Sequence, residues 1–248
     1  MIAPTKLHFA RFEFKYLLTA DAQKELESEL GYFLEFDPFV KERPDHQYLV
    51  RSLYFDDPHY TSFYDKIDGL HLRSKFRVRT YTNDLAIKTP QFLEVKGRYN
   101  NLVFKHRALI SQNQSIGSAS GEELISTVMK GVAPCEVRRK FEYDFYKKQL
   151  HAVALVDYLR RPFVSRFSPD FRLTFDSNLR ATRTNSLFPG GSASQPRQLL
   201  PGYTVMEVKF RRHLPSWFHR LIQVYELQRV SISKICHAMI ALGIAEDL

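Results

Sequence analysis

The stretch Leu72-Arg73-Ser74-Lys75-Phe76-Arg77-Val78-Arg79-Thr80 carries a cation at every second position. A period of two is the signature of a β-strand, whose successive side chains point to opposite faces. Arg73, Lys75, Arg77 and Arg79 therefore share one face, and Phe76 and Val78 share the other. The same scheme recurs. Arg11, Glu13 and Lys15 alternate with Phe12, Phe14 and Tyr16 over a strand at 9–17. Glu94, Lys96 and Arg98 alternate with Leu93 and Val95 over 92–98. Arg172, Thr174 and Asp176 alternate with Leu173 and Phe175, and Glu207, Lys209 and Arg211 with Met206, Val208 and Phe210.

Further strands are predicted at Tyr48–Asp56, at 72–82 in full, at 102–109, and as two long strands near 136–149 and 152–164. Helices are predicted where apolar residues recur at helical spacing. One runs from a Thr19 cap, with Asp21 in its first turn, to a stop at Gly31. Others begin at Pro58, near Glu122 and at Pro215, the last burying Trp217, Leu221, Ile222 and Tyr225. A final helix at about 231–243 closes the chain. Ser111–Gly121 is polar and reads as a loop, and Ser186–Gly202, with three prolines and three glycines, as a mobile one. No repeat and no composition shift divides the chain, so residues 1–248 are expected to form one domain.

Composition bounds the function. The chain has 248 residues, 44% hydrophobic and 25% charged, which excludes a predominantly disordered or collagen-like protein. Its 36 Lys and Arg against 27 Asp and Glu leave a net charge of +9, which points to an anionic partner. Two cysteines, Cys135 and Cys236, exclude a disulfide framework and a four-thiolate zinc site. The nine histidines lack metal-ligand spacing. Met1–Arg11 has no signal-peptide core, and no stretch approaches the roughly 20 apolar residues that span a bilayer. The expectation is a cytoplasmic protein with reduced thiols, peripheral attachment to a membrane partner staying open.

Two arrangements account for strands that are ionic on one face and apolar on the other. In one, the charged faces simply face water. Alternatively the sheet closes into a barrel with an ionic lumen, and helices cover its apolar outside. Four like charges side by side are costly unless something anionic relieves them, which favours a polyanion in a lumen. The Glu-x-Lys pairs Glu13/Lys15, Glu94/Lys96 and Glu207/Lys209 add carboxylates that suit Mg²⁺ or Mn²⁺ beside cations that suit phosphate. Together they are equipment for a metal-bound triphosphate.

An ordered set of motifs resembles a known family: Arg-Phe-Glu-Phe-Lys-Tyr at 11–16, Ser-Leu-Tyr-Phe-Asp-Asp at 52–57, Lys-x-Arg-x-Arg at 75–79, Phe-Leu-Glu-Val-Lys at 92–96 and Lys-x-Arg at 105–107. Then come Tyr-x-Arg at 158–160, Arg-Leu-Thr-Phe-Asp at 172–176, Met-Glu-Val-Lys-Phe at 206–210, Pro-x-Trp at 215–217 and Ser-Lys at 233–234. From Arg11 to about Met239 the chain resembles the VTC domain, the polyphosphate polymerase domain of the triphosphate tunnel metalloenzymes, relatives of the CYTH phosphatases and cyclases. The resemblance implies an α+β fold, an antiparallel β-barrel of about eight strands with flanking helices. It implies catalysis by Arg77, Arg79, Lys96, Arg160, Lys209 and Glu207. Phosphate contacts would come from Arg11, Lys15, Lys75, Lys105, Arg107, Arg172, Ser233 and Lys234. Glu207 would lead the metal ligands, with Glu13 and Glu94 either weaker metal ligands or residues that orient the neighbouring cations. The implied cofactor is Mn²⁺ or Mg²⁺, and the implied partners are ATP or another triphosphate and inorganic polyphosphate, with no specific nucleic acid.

One departure bears on the reaction. The CYTH hydrolases begin with Glu-x-Glu-x-Lys, whereas Arg11 stands at the first glutamate here. A guanidinium there removes a metal ligand and adds a phosphate binder, which disfavours a two-metal hydrolase. The SPX domain and transmembrane tail of the family's eukaryotic members are not expected here. The rivals are a triphosphate or short-polyphosphate hydrolase on the same fold, and a non-catalytic polyanion-binding module. Aromatics opposite the charges read as core, not as stacking platforms. Trp217 reads as a packing anchor and the cysteines as structural. Arg138, Arg139 and Lys140, in a strand, would point alternately. Of Arg160-Arg161 and Arg211-Arg212, one member each would face the lumen.

Overall fold

A computed structural model describes residues 12–100, 102–111, 113, 116–191 and 193–246. Arg11, a sequence-stretch candidate for phosphate binding, lies outside the described residues. The strands are β1 (Phe12–Thr19), β2 (Leu34–Phe36), β3 (Tyr48–Asp56), β4 (Leu72–Thr80), β5 (Gln91–Tyr99), β6 (Leu102–Ile110), β7 (His151–Ser165), β8 (Arg172–Thr182), β9 (Arg197–Gln198) and β10 (Tyr203–Phe210). The α-helices are α1 (Ala20–Leu30), α2 (Thr61–Ile67), α3 (Gly121–Gly131), α4 (Glu136–Lys148), α5 (Ser216–Val224) and α6 (Lys234–Ala241), and Pro38–Val40 makes a single 3-10 turn. The sheet runs β1-β10-β8-β7-β3-β4-β5-β6, with β2 on β7 and β9 on β8. Every pairing is antiparallel.

The fold is α+β and tunnel-like, yet the expected closure is incomplete. β1 and β6 end the hydrogen-bonded path, although their Cα atoms approach within 8 Å. Part of the free edge of β1 is taken by another segment. The Val230 amide donates to the Lys15 carbonyl at 2.8 Å, and Arg229 bridges to Tyr16. Side chains span the gap instead: Lys96 Nζ of β5 lies 2.8 and 2.9 Å from the two Glu13 carboxylate oxygens of β1.

Three apolar clusters hold the curved sheet. Leu26 and Leu30 of α1 and Phe218 and Leu221 of α5 pack with Phe175, Met206 and Val208 on one half of its outer face. Leu124 and Val128 of α3 and Phe141 of α4 pack with Phe55, Phe76 and Val95 on the other half. The third cluster lies inside. Ile235 and Met239 of α6 join Val50, Tyr54, Tyr158 and Val205, residues on the ionic side of their strands by register. The inside is therefore ionic only in part. The last helix occupies part of the concave face, leaving the rest to the charges.

The span 136–149 is corrected from strand to helix. Phe141, Tyr143 and Phe145 alternate, but Val137 and Phe141 also stand four apart, and α4 buries both while Tyr143 and Tyr146 are exposed. Gln149, at φ 56°, ends it. Arg138, Arg139 and Lys140 thus ride a helix outside the sheet. The helix expected from Pro58 starts at Thr61, because Asp56 and Asp57 hold the intervening turn. Asp56 accepts from the amides of Asp57, Ser62 and Phe63, and Asp57 from those of His59 and Thr61. The span 186–202, expected to be loose, is pinned by buried Leu187, Phe188 and Leu199 and by the Leu199 amide on the Leu179 carbonyl.

The helical assignment of α4 separates two variants. Phe141→Ala should lower unfolding free energy in urea by about 3–5 kcal/mol, and Tyr143→Ala by no more than about 0.5 kcal/mol. Equal losses would restore the strand.

Candidate functional site

Register brings the charged residues of separate strands onto one inner face. On β4, Arg77 lies opposite Tyr54 of β3 and Glu94 of β5, and Arg79 lies opposite Ser52 and Phe92. Arg77 donates from Nε to Glu94 Oε2 at 2.8 Å and from Nη1 to the Tyr54 hydroxyl at 2.9 Å. Arg79 donates to Ser52 Oγ at 3.1 Å and to the Tyr158 hydroxyl at 3.2 Å. Lys105 of β6 reaches the other Glu94 oxygen at 2.5 Å. Glu94 is fully buried. It is the anion that relieves the row of cations, so part of the relief expected from a polyanion is built in.

A second anchor is Asp176 of β8, also fully buried. Arg160 of β7 holds it through two bonds of 2.6 and 2.7 Å, and Lys234 of α6 lies 2.6 Å away. Arg161, the next residue, points out to Glu27 of α1, as an alternating strand requires. The third group is a checkerboard on β1 and β10. Glu13 faces Lys209 and Lys15 faces Glu207 in register. Lys209 is 2.5 Å from Glu207, and Lys15 donates to the Ile232 carbonyl at 2.7 Å. Lys75 has neutral neighbours, Ser233 Oγ at 3.2 Å and Cys236 Sγ at 3.0 Å.

Apart from the buried Asp176, Ser52 and Cys236, these groups line one cavity of 1720 Å³. It brings together Arg77, Arg79, Lys96, Arg160, Lys209, Glu207 and Glu13 with Lys15, Lys75, Lys105, Arg107, Ser233 and Lys234. Glu94 sits behind this lining. Arg172 stands apart at the rim, its Nη2 2.9 Å from Asp37 Oδ2.

Burial and mutual repulsion push the carboxylates up, but the surrounding cations win. For Glu13, burial and the Glu207 charge are outweighed by Lys96, Lys15 and Lys209, which hold its carboxyl down at about 2. Burial likewise opposes ionisation of Glu207, Glu94 and Asp176. Lys209 and Lys96 keep Glu207 well below the usual range. Arg77 and Arg79 do so for Glu94, and Arg160 and Lys234 lower the Asp176 carboxyl. Burial lowers the ammonium groups of Lys15 and Lys105, with Glu13 and Glu94 pulling the other way. A phosphate chain that drew these lysines toward itself would favour their charged forms.

Tyr54, Tyr158, Ser52 and Asp176 are parts of the site that sequence reasoning left unassigned. Each stood in a quoted motif at an inner-face position, so alternation was the available signal. Their partners lie on other strands, which only register reveals.

The donor set can be tested for a divalent cation. Glu94 is enclosed by Arg77, Arg79 and Lys105. Glu207 and Glu13 lie diagonally across β1 and β10. Thr174 is opposite Glu207 on β8, and its buried hydroxyl has no hydrogen-bond partner among the described residues. Among the described residues no cluster of three His, Cys, Asp or Glu forms a complete cage. This oxygen-only set fits a hard cation that takes its remaining ligands from phosphate.

The VTC domain family model matches residues 10–242. A candidate adenylate cyclase from Bacillus halodurans superposes with a TM-score of 0.52 at 13% identity, covering 90% of this chain and 94% of its own. A protein from Pyrococcus horikoshii aligns at 10% identity with a TM-score of 0.43, over 88% of this chain and 92% of its own. No curated protein matches by sequence.

The depressed Glu13 and Glu94 carboxyls add stability that is complete above their ordinary value of 4.5 and is lost as pH falls below it, for Glu13 down toward about 2. The urea midpoint should therefore drop between pH 5 and pH 3 (about two orders of magnitude in proton activity). Glu94→Gln leaves buried arginines without their anion and should cost about 3 kcal/mol at pH 7 while flattening that slope. An unchanged slope would contradict the ion-pair account.

Proposed function

The chain belongs to the VTC domain family, a family of triphosphate-tunnel enzymes, and from that premise we propose that it is a polyphosphate polymerase. It transfers the γ-phosphoryl group of ATP to the end of a growing polyphosphate chain. The observation that carries this proposal is the cation ladder on one concave face, held in place by buried Glu94 and Asp176. A linear polyanion can exchange its phosphates for those carboxylates one register step at a time.

Phosphoryl transfer demands mainly alignment and charge neutralisation. A terminal phosphate oxygen of the acceptor chain attacks the γ-phosphorus. The bond from that phosphorus to the β–γ bridging oxygen breaks, and ADP leaves with the electron pair. The attacking oxygen is already anionic near neutral pH, so no side chain need remove a proton. Arg77 and Arg79 are pre-aimed by Glu94, Tyr54, Ser52 and Tyr158, and Arg160 by Asp176. They need little reorganisation to grip the transferring group. Lys96 and Lys209 can release Glu13 and Glu207 as they turn to phosphate. Mn²⁺ or Mg²⁺ held by Glu207, with Glu13 and Thr174 beside it, would supply charge neutralisation on phosphate oxygens. No described helix is long and apolar enough to cross a membrane.

Incubation with ATP and Mn²⁺, with and without a short primer, should yield long polyphosphate and ADP, read by ³¹P NMR and gel electrophoresis. Orthophosphate release without chain growth would establish the hydrolase instead. Salt-sensitive binding without turnover would establish a binding module. Glu207→Gln should reduce turnover and its metal dependence at least about 100-fold, and Arg77→Ala should weaken triphosphate binding about tenfold or more. Normal turnover in both would refute the site assignment.

A further inference from the structure

The two ends of the concave face differ in chemistry. At the end where β3 and β5 begin, four rings form an edge-to-face series. Phe39 and Tyr48 have centroids 5.3 Å apart, Tyr48 and Tyr81 5.6 Å, and Tyr81 and Phe92 6.4 Å. Arginines cap this series at both ends. The Arg43 guanidinium lies 4.7 Å from the Phe39 centroid, and that of Arg107 lies 4.7 Å from Phe92. Two of the rings belong to the ionic face itself. Tyr48 stands in register with Arg160 and Phe92 with Arg79. Here the aromatics share the face of the charges, contrary to the expectation that aromatics lie opposite them. Phe39 is 58% exposed, and Tyr48, Tyr81 and Phe92 are half-buried.

At the opposite end the cavity is lined by Lys66, Arg73 and Arg98. A bare phosphate chain suits that cationic end. It has no apolar surface, and the negative face of an aromatic ring repels it. A nucleobase suits the aromatic end, because every base offers a π-face to a ring or a guanidinium plane.

We propose that the Phe39–Tyr48–Tyr81–Phe92 rim is a nucleobase-stacking subsite. A nucleoside triphosphate seats its base there, with its phosphates running inward along Arg79, Arg77 and Arg160. The inference rests on the triphosphate reading of the cavity lined by Arg77, Arg79 and Arg160, which the four rings adjoin through the Tyr48–Arg160 and Phe92–Arg79 pairs, and it adds a polarity to that reading. The nucleoside lies at the aromatic end and the phosphate chain extends toward Lys66, Arg73 and Arg98. Successive inner-face residues on one strand are about 6.6 Å apart. A base against Phe92 therefore brings its phosphates to Arg79 and Arg77 within one or two steps.

Isothermal titration of the full chain with ATP and, separately, with tripolyphosphate tests this. The variants are Phe39→Ala, Tyr81→Ala, the pair together, and Tyr81→Phe, with thermal melting to establish that each is folded. The paired variant should lose about tenfold in ATP affinity while tripolyphosphate affinity stays within about twofold. Phe39→Ala alone, at an exposed ring, should move the same way by less, and Tyr81→Phe should retain ATP binding. Equal weakening of both ligands, or no weakening of ATP, in the folded variants would overturn the subsite and leave the triphosphate site standing. Binding of neither ligand by the wild type would overturn both.

Discussion

Cations placed side by side on one face of a sheet repel one another, and the fold depends on how that repulsion is met. Arg77, Arg79 and Lys105 converge on Glu94, and Arg160 and Lys234 converge on Asp176. Both carboxylates are fully buried. Buried ion pairs add little net stability, because desolvation offsets their attraction, but removing one member leaves a charge stranded. Their value here is orientation. Guanidinium groups that would otherwise sample many rotamers are held facing one space.

The same constraint shapes the rest of the molecule. Helices α1, α5, α3 and α4 are confined to the outer face because the inner face is mostly ionic. Helices α2 and α6 are the exceptions: Phe63 of α2 is buried in the inner cluster, next to α6, which lies where Val50 and Val205 replace charged residues on the inner side. The N-terminal end of α6 adds Ser233 and Lys234 to the cavity, so the element that narrows the lumen also furnishes it. The open seam between β1 and β6 has the same logic. Its bridge is ionic, from Lys96 to Glu13.

Much of this was legible in the sequence where alternation was clean. Tyr48–Asp56 was placed residue for residue, and the split of Arg160 from Arg161 followed from strand geometry alone. Trp217 packs as an anchor, stacked on Phe33 at 4.5 Å. The failures have physical causes. Around Phe141 the apolar residues satisfy both periods, and helix formation won because neighbouring sheet surface needed a cover. An amphipathic helix does not disclose which face of a sheet it covers, so the inner place of α6 was hidden. Tyr54 and Tyr158 resembled core aromatics, since the sequence does not show that their hydroxyls reach arginines on other strands. The open seam was equally hidden, because it depends on Val230 reaching the backbone of β1.

The central claim is that a preformed ladder of cations reads a linear phosphate chain. It is tested most directly by the thermal midpoint of the full chain with orthophosphate, pyrophosphate and tripolyphosphate at matched ionic strength. The account predicts stabilisation that rises steeply with chain length, because each added phosphate engages a further register step of the inner face. Equal stabilisation by all three ligands, or none by tripolyphosphate, would contradict it.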